Sequence, residues 1–336
     1  MINPFLFKPA LQSRTSAQVA ISVLALAAAN ALADSTKFPE LPTPVTSFGA
    51  CVSDGWVYVY GGHAGEAHKY SLDTTLFDFR RCKMDGTGAW ESLPGPARAQ
   101  GASLVAHAGK VIRVGGLSAR NETIDQDENL ISLTDVAIFD PTTHRWAELP
   151  ALPKPRSSHD SVVVDGKLYV LGGWELSGNR QGAWHEDAWV LDLERPRRGW
   201  KKFPQPFKRR AVAVAAVGHW IVVMGGMDNE NYTSLEVDLY DTKTRKWSKG
   251  PELPDGPMDG FGAAACVQSD TLYATTYLGK LLQWRPEATN WSEVAEVQSK
   301  RFFHRMVPVS ETELVLIGGA SRKEGHLADV EVITIK

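Results

Sequence analysis

Apolar residues along the chain gather in short runs, and five of these runs end at a pair of glycines. The runs read WVYVYGG, KVIRVGG, KLYVLGG, WIVVMGG and ELVLIGG, with the glycine pairs at residues 61–62, 115–116, 172–173, 225–226 and 318–319. Short runs of strand-forming residues bounded by turn residues predict buried β-strands. Glycine weakens a strand interior, so a pair at the same place in each run indicates a bend or a close backbone contact there.

The glycine pairs recur with a period near 50 residues. Their spacings are 54, 57, 53 and 93 residues, and the long gap contains a degenerate copy, TLYATTYLG, at residues 271–279. A tryptophan also recurs about 25 residues before the next glycine pair, followed by a proline-marked turn as in WAELPALPKP. The chain therefore contains six units, and units of this length with four short strands each are typical of a β-propeller.

The glycine pairs, the spaced tryptophans and the PxxxRSSH-type segments resemble those of the kelch-repeat family over residues 35–336. The resemblance implies an all-β, six-bladed kelch-type propeller. The last unit ends with a third strand, ADVEVITIK, and has no fourth, whereas Leu41-Pro42 near the N-terminus aligns with Leu152-Pro153 of the third unit. We therefore predict that the N-terminal strand completes the last blade and closes the ring, which removes exposed sheet edges.

The first 33 residues differ from the rest of the chain. Lys8 and Arg14 precede an apolar run at residues 19–29 without acidic residues, and Ala31-Leu32-Ala33 follows it. This order predicts a secretory signal over residues 1–33, cleaved to leave a propeller at residues 34–336 that is exported to the periplasm or secreted. The run is shorter than the roughly 20 apolar residues of a spanning helix, so we expect no membrane span after cleavage.

The charge of the chain limits the classes of partner, and the positions of two cysteines argue against a disulfide between them. The net charge is −3 and becomes −5 without Lys8 and Arg14, which argues against nucleic-acid binding. One run, RPRRGWKKFPQPFKRR at residues 195–210, has eight basic and no acidic residues, so an anionic partner is one interpretation and a solvated surface the other. Cys51 and Cys82 fall on strands two apart in one sheet, which is too far for a disulfide.

Candidate ligand-binding residues are those that a propeller brings to one end of its channel. In each blade, the loop after the second strand and the segment leading into the first strand open on the same face, here called the mouth. Histidines at one register in RSSHD and RFFHR supply imidazoles, neighbouring arginines suit anions, and a loop tryptophan suits sugar rings. The predicted mouth residues are His63, His159, Asp160, Trp174, Arg210, His304 and Arg305.

Other chemistry has weaker support from the sequence. Three histidines suggest zinc, but no close ligand spacing accompanies them, and the acidic loop at residues 117–135 matches no calcium loop, so no metal or cofactor is predicted. A second arginine register, Arg98, Arg156, Arg209 and Arg301, is interpreted as structural, each tying a strand to backbone carbonyls. Trp184 and Trp189 are assigned to packing between blades.

Two functions remain open, and no catalytic set decides between them. The first is a monomeric binding module, similar to exported bacterial kelch-repeat proteins, that holds a carbohydrate or protein ligand, anionic in one version, at the mouth. The second is a sugar-modifying enzyme, because exported kelch proteins that mutarotate sialic acid have this size, leader and fold. That likeness is architectural, and no site residue carries over from it.

Overall fold

The computed structural model describes residues 38–178 and 180–335. Its strands form six antiparallel sheets, the blades, each with its first strand innermost. The predicted secretory signal and residues 34–37 lie outside the described residues. The first two blades contain β1 (Gly49–Ser53), β2 (Trp56–Tyr60), β3 (Phe79–Lys83), β4 (Glu91–Leu93), β5 (Ser103–His107), β6 (Lys110–Val114), the mouth hairpin β7 (Leu117–Ala119) and β8 (Leu130–Ser132), β9 (Val136–Asp140) and β10 (Arg145–Glu148).

The third and fourth blades carry the basic run between them, with a short 3-10 helix at Pro196–Arg198. Their strands are β11 (Ser157–Val164), β12 (Lys167–Glu175), β13 (Ala183–Trp184), β14 (Asp187–Asp192), β15 (Lys201–Pro204), β16 (Arg209–Arg210), β17 (Ala213–Val217), β18 (Trp220–Met224), β19 (Met227–Asp228), β20 (Val237–Asp241) and β21 (Lys246–Lys249). The pair β16 and β19 and the short strand β13 extend these blades at the mouth.

The last two blades complete the ring. They contain β22 (Ala264–Gln268), β23 (Thr271–Thr275), β24 (Lys280–Trp284), β25 (Ser292–Glu296), β26 (Arg305–Pro308), β27 (Glu313–Ile317), the mouth pair β28 (Ala320–Ser321) and β29 (Gly325–His326), and β30 (Val330–Thr334). The fifth blade forms although its glycine pair is lost, and the predicted six-bladed, all-β propeller is confirmed. Among the described residues, no helix is long and apolar enough to cross a membrane.

The glycine pairs lie where neighbouring blades touch. Gly61 has a φ of +66°, and a Cβ there would lie 2.2 Å from the carbonyl oxygen of Ala99. The amide of Gly62 donates a hydrogen bond to that same carbonyl, at 2.8 Å. A side chain at residue 61 would therefore push the second blade away, which explains why each apolar run ends in glycine.

The hydrophobic core is divided among the six contacts between adjacent blades. One cluster joins the first and sixth blades, where Phe38, Leu41 and Val45 pack with Val315 and Ile317. The amide of Leu41 also donates to the carbonyl of Ala328, at 2.7 Å. The segment from residue 38 onward thus seals the contact between the first and last blades. The outer strand predicted at residues 35–42 is not formed by its described part: residues 38–42 are in no strand, the sixth blade has three strands among the described residues, and residues 35–37 lie outside them.

The repeated tryptophans link the outer edges of adjacent blades. In each case the indole Nε1 donates to a proline carbonyl of the preceding blade: Trp90 to Pro39, Trp146 to Pro94, Trp200 to Pro150, Trp247 to Pro204 and Trp291 to Pro251, at 2.7–2.9 Å. Four of the accepting prolines, Pro94, Pro150, Pro204 and Pro251, follow the tryptophan of their own blade, which explains the proline turns there, and Trp291 has no such turn after it. The first of the five bonds crosses the closure of the ring.

The three cysteines are free and buried. Cys51 on β1 lies opposite Tyr58 of β2, and Cys82 on β3 lies opposite Val57 of β2. The whole strand β2 therefore separates the two thiols. Burial raises the pKa of Cys51 and of Cys266, which keeps both thiols protonated. They behave as small apolar groups of the core.

Candidate functional site

Six backbone hydrogen bonds form a closed ring where the channel opens at the mouth. Each amide donates to the carbonyl of the preceding blade at 2.6–3.2 Å, and all six residues have positive φ, between 50° and 67°. The members of this inner ring are Ser47, Gly101, Ser158, Ala211, Gly262 and Phe303. The left-handed conformation turns each N–H and C=O along the ring instead of along a strand. The ring borders a cavity of only about 50 Å³, so the channel is nearly closed at this level.

An ion pair crosses the channel beside the inner ring. The guanidinium of Arg305, on the sixth blade, lies 3.0 Å from Oδ2 of Asp160, on the third. In a ring of six blades these two are opposite one another. Arg305 Nε also donates to the carbonyl of Phe48, at 2.8 Å, and Asp160 accepts the amides of Ser161 and Val214. Both charges are therefore satisfied within the protein.

His159 and His304 lie at the same register but face neighbouring blades. His159 Nε2 is 3.5 Å from the hydroxyl of Ser103, and His304 Nε2 is 2.6 Å from that of Thr275. Both side chains are 2% exposed. Burial, reinforced by nearby arginines, lowers the pKa of each imidazole well below its ordinary value, so both are neutral. Both residues border the small cavity, and their hydrogen bonds connect adjacent blades.

The arginine register behaves as the sequence indicated. Arg156, Arg209 and Arg301 each donate to the carbonyl of the first glycine of their own blade's pair, at 2.6–3.2 Å. Each also pairs with a carboxylate on the third strand of that blade. The structural interpretation of these three is confirmed, and they hold the mouth segments in place.

Arg210 is the notable cation of the mouth. It comes directly before Ala211 of the inner ring. Its Cζ lies 4.2 Å from the aromatic centroid of Trp174, 5.4 Å from that of Phe261 and 5.9 Å from that of Trp184. Its Nε is buried without a hydrogen-bond partner, and among the described residues no carboxylate lies within ion-pair distance of the guanidinium. Burial lowers the pKa of Arg210, yet an arginine stays protonated at neutral pH. Among the described residues, the mouth thus holds a positive charge that no carboxylate pairs with.

His63 lies in a second cluster at the mouth. Its Nε2 is 2.9 Å from the carbonyl oxygen of Lys69, and its ring is 4.8 Å from that of Tyr70 and 5.1 Å from that of His326. Burial lowers the pKa of both His63 and His326. Burial and the charge of Glu128 raise the pKa of Tyr70, with Arg210 acting in the opposite direction.

The structure thus sorts the seven predicted residues into three groups. Asp160 and Arg305 form the ion pair across the channel, here called the bridge. His159 and His304 are buried between adjacent blades. Trp174 and Arg210 lie in one cluster at the mouth, and His63 lies in the other.

Sequence reasoning missed four mouth aromatics: Tyr70, Trp184, Phe261 and His326. Trp184, assigned to packing between blades, donates its indole Nε1 to the carbonyl of Met227 on the fourth blade, at 3.3 Å, and its ring also lies 5.1 Å from that of Trp174 at the mouth. Phe261 leads into the inner ring at the position equivalent to Arg210, so the repeat register was the available signal. Tyr70 lies on the loop after β2 and His326 on β29, in mouth segments of unrelated length, where no such signal exists. In the part of the chain that is described, no cluster of His, Cys, Asp and Glu is suited to a metal ion.

Comparisons with known proteins agree with this architecture. A profile described as the KLHDC2/KLHL20/DRC7 Kelch-repeats domain matches residues 33–173 and 127–279. The chain is similar to beta-scruin of Limulus polyphemus, with 25% identity over 220 residues that cover 64% of the chain and 22% of that protein. It is also similar to Kelch-like protein 35 of Mus musculus, with 25% identity over 69% of the chain and 35% of that protein.

These curated relatives are longer, and the matches span about a fifth to a third of their length. A solved structure, described as the structure of YjhT, superimposes with a TM-score of 0.72 over 89% of the chain and 97% of its own length. The sequence identity to that structure is 18%, so the likeness concerns the fold.

Proposed function

The chain belongs to the kelch-repeat family, whose propellers commonly bind protein partners, and we propose that it is a binding module whose ligand presents a carboxylate to Arg210 at the mouth. The ligand is a carbohydrate or a protein segment with an acidic group. The observation that carries this proposal is the arginine itself, stacked among three aromatic rings and left without an acidic partner. A desolvated guanidinium gains most from a carboxylate, which it binds through two parallel hydrogen bonds.

The aromatic rings give the same site a second means of recognition. Trp174 and Trp184 are half-buried, and Trp174 Nε1 has no hydrogen-bond partner. Such side chains offer an apolar face to a sugar ring or an apolar side chain and a donor to a nearby oxygen. A ligand with an acidic group beside a flat apolar surface therefore fits both features.

The experiment compares acidic probes with their neutralised forms. A uronic-acid oligosaccharide and a glutamate-rich peptide are titrated against the purified protein by calorimetry, next to the methyl esters of both. We expect one of the two acidic probes to bind and its ester to bind at least about tenfold more weakly. Arg210→Gln should produce the same loss, whereas Arg145→Gln, an exposed arginine on β10, should not. Binding that persists in Arg210→Gln would refute the proposal.

The enzyme alternative is favoured by one observation, the cluster of His63, Tyr70 and His326. A neutral imidazole next to a phenol can exchange protons with a bound sugar, which is what ring opening requires. NMR exchange spectroscopy on N-acetylneuraminate tests this alternative. Faster anomer exchange with the protein, abolished by His63→Gln and His326→Gln, would support it, and exchange at the uncatalysed rate would exclude this activity.

A further inference from the structure

A second cavity opens on the face opposite the mouth, between the third and fourth blades. It has a volume of about 260 Å³ and is bordered by Lys167 at the start of β12 and Lys201 at the start of β15. The other end of β12 carries Gly172 and Gly173 at the mouth, so the two sites lie at opposite ends of the same strand. We call this cavity the seam pocket. The pocket is also lined by Tyr169, Phe203, Tyr240, Arg198 and Arg245.

The floor of the seam pocket is aromatic. The ring of Phe203 lies 5.0 Å from that of Tyr240 and 5.9 Å from that of Tyr169. The two tyrosines are each 7% exposed, and among the described residues neither phenol hydroxyl makes a hydrogen bond. The pocket therefore combines an apolar surface with two donor groups that lack partners.

The rim of the seam pocket is cationic. Lys167, Arg198, Lys201 and Arg245 are exposed, and in the described part of the chain none of them forms an ion pair. Arg245 also acts electrostatically on both Tyr169 and Tyr240, lowering the pKa of each phenol against the larger effect of burial. Four positive side chains therefore surround one small cavity.

One acidic residue lies in the wall of the seam pocket. It is Asp192, and its Oδ1 accepts the amides of Glu194 and Arg195. Asp165 and Asp241 act electrostatically on Tyr169 and Tyr240, respectively. Lys202 also borders the pocket, but its ammonium is held by Asp187 at 3.1 Å. Among the residues that border the pocket, four cations without an ion pair thus accompany one acid, which leaves an excess of positive charge.

The structure divides the basic run into separate parts. Arg209 is held by Asp238, Lys208 by Glu186 and Lys202 by Asp187, while Arg210 faces the mouth. Of the four other cations in the run, Arg198 and Lys201 border the seam pocket, whereas Arg195 and Arg197 do not. A run that looked uniform in the sequence therefore serves different sites.

We propose that the seam pocket binds a sulfate or phosphate monoester carried on a ring. The two guanidiniums and two ammoniums neutralise the negative charge of the ester, which is one for a sulfate and up to two for a phosphate. The phenol hydroxyls of Tyr169 and Tyr240 donate hydrogen bonds to the ester oxygens. The ring that carries the ester rests on Phe203. A carboxylate offers fewer oxygens to the four cations and two hydroxyls, which is why a tetrahedral group is preferred here. A sulfated sugar and a phosphorylated small molecule share this chemistry.

The test uses the purified protein with 4-nitrophenyl sulfate, 4-nitrophenyl phosphate, a sulfated disaccharide and inorganic phosphate at constant ionic strength. We expect saturable binding of an ester. Arg198→Gln with Arg245→Gln should weaken it at least about tenfold, as expected for lost charge-assisted hydrogen bonds. Phe203→Leu should weaken ester binding but not that of inorganic phosphate. Arg145→Gln and Arg210→Gln should leave it unchanged, which separates this site from the mouth.

The outcomes distinguish the source of the group. Tighter binding of the sulfated disaccharide supports the pocket as a sulfated-glycan site, and tighter binding of the phosphate ester supports a phosphorylated ligand. Two results would overturn the proposal: no saturable binding of any ester, or binding that the paired arginine substitutions leave intact. Thermal unfolding of each variant, including Phe203→Leu and Arg210→Gln at partly buried positions, verifies that the substitutions preserve the fold.

Discussion

Arg305 and Asp160 stand 145 positions apart in the sequence, yet their side chains meet at 3.0 Å across the channel. The contact joins opposite blades, whereas most contacts of a propeller join neighbours. Together with the inner ring, it fills the axis next to the mouth.

Removing one partner of this bridge should destabilise the protein. In Asp160→Asn the guanidinium of Arg305 stays largely buried without its counter-charge, and we expect a loss of about 2 kcal/mol in the free energy of unfolding. Urea unfolding of both single variants and of Asp160→Asn with Arg305→Gln measures the coupling. The double variant should lose less than the sum of the two. Additive losses would mean that the bridge contributes nothing specific. Glu186→Gln, which breaks an exposed pair with Lys208, should cost clearly less than either single variant of the bridge.

A side chain at Gly61 should be far more harmful than one at a glycine of similar backbone conformation. Gly61→Ala combines a positive φ with a Cβ only 2.2 Å from the carbonyl oxygen of Ala99, so we expect a loss of at least about 3 kcal/mol. Gly55 has a φ of +81° and open space around it, and Gly55→Ala should cost about 1 kcal/mol. Equal losses in thermal or urea unfolding would show that the contact between blades is not what the glycine protects.

Stability should fall as the pH drops below the ordinary range of histidine. Burial lowers the folded-state pKa of His304 well below normal and that of His185 to about 4, whereas both titrate near 6.5 in the unfolded chain. Below about pH 6.5 the unfolded state therefore binds more protons, so each histidine contributes a slope of up to about 1.4 kcal/mol per pH unit. The loss of stability begins as the pH falls through the pKa of histidine in the unfolded chain, near 6.5.

Urea unfolding at pH 7.5, 6.5 and 5.5 measures this slope. In His304→Gln the slope between the two lower values should become shallower, although the variant is less stable throughout because it loses the bond to Thr275. The exposed His144, replaced by Gln, provides the control and should leave the slope unchanged. An identical slope in His304→Gln would mean that this imidazole is protonated in the folded state.

The Trp90–Pro39 bond should hold the N-terminal segment on the ring. Trp90→Phe removes the indole donor, and we expect faster protease cleavage around residues 38–45 together with a loss of about 1 kcal/mol. Trp200→Phe breaks the equivalent bond to Pro150, which lies between two internal blades, and should not expose that segment. Equal cleavage patterns in the two variants would show that the closure does not depend on this bond.

Periodicity made the architecture predictable from the sequence, including the fifth blade, whose glycine pair has decayed. The glycines and tryptophans could be recognised because their backbone contact or indole bond requires one residue type. The inner ring could not be foreseen, because Ser47, Ala211 and Phe303 share a backbone conformation and not a side chain. Likewise, a shared register placed His159 and His304 together but did not show that each would turn toward its neighbouring blade.

Arg210 and Arg305 illustrate the same limit at the candidate site. Both were predicted as mouth cations, yet one is neutralised by Asp160 and the other has no acidic partner among the described residues. The difference depends on which side chain reaches across the axis, and the sequence carries no repeat that encodes it.

The nearly closed axis has a consequence for how the molecule is organised. With a cavity of only about 50 Å³ at the inner ring and an ion pair across the channel, little room remains for a compound to pass from one face to the other. The two ends of the propeller are separate compartments on a common rigid body, and each can change its loops without altering what the other recognises. Such a body is suited to holding two unlike molecules at a fixed separation at the same time.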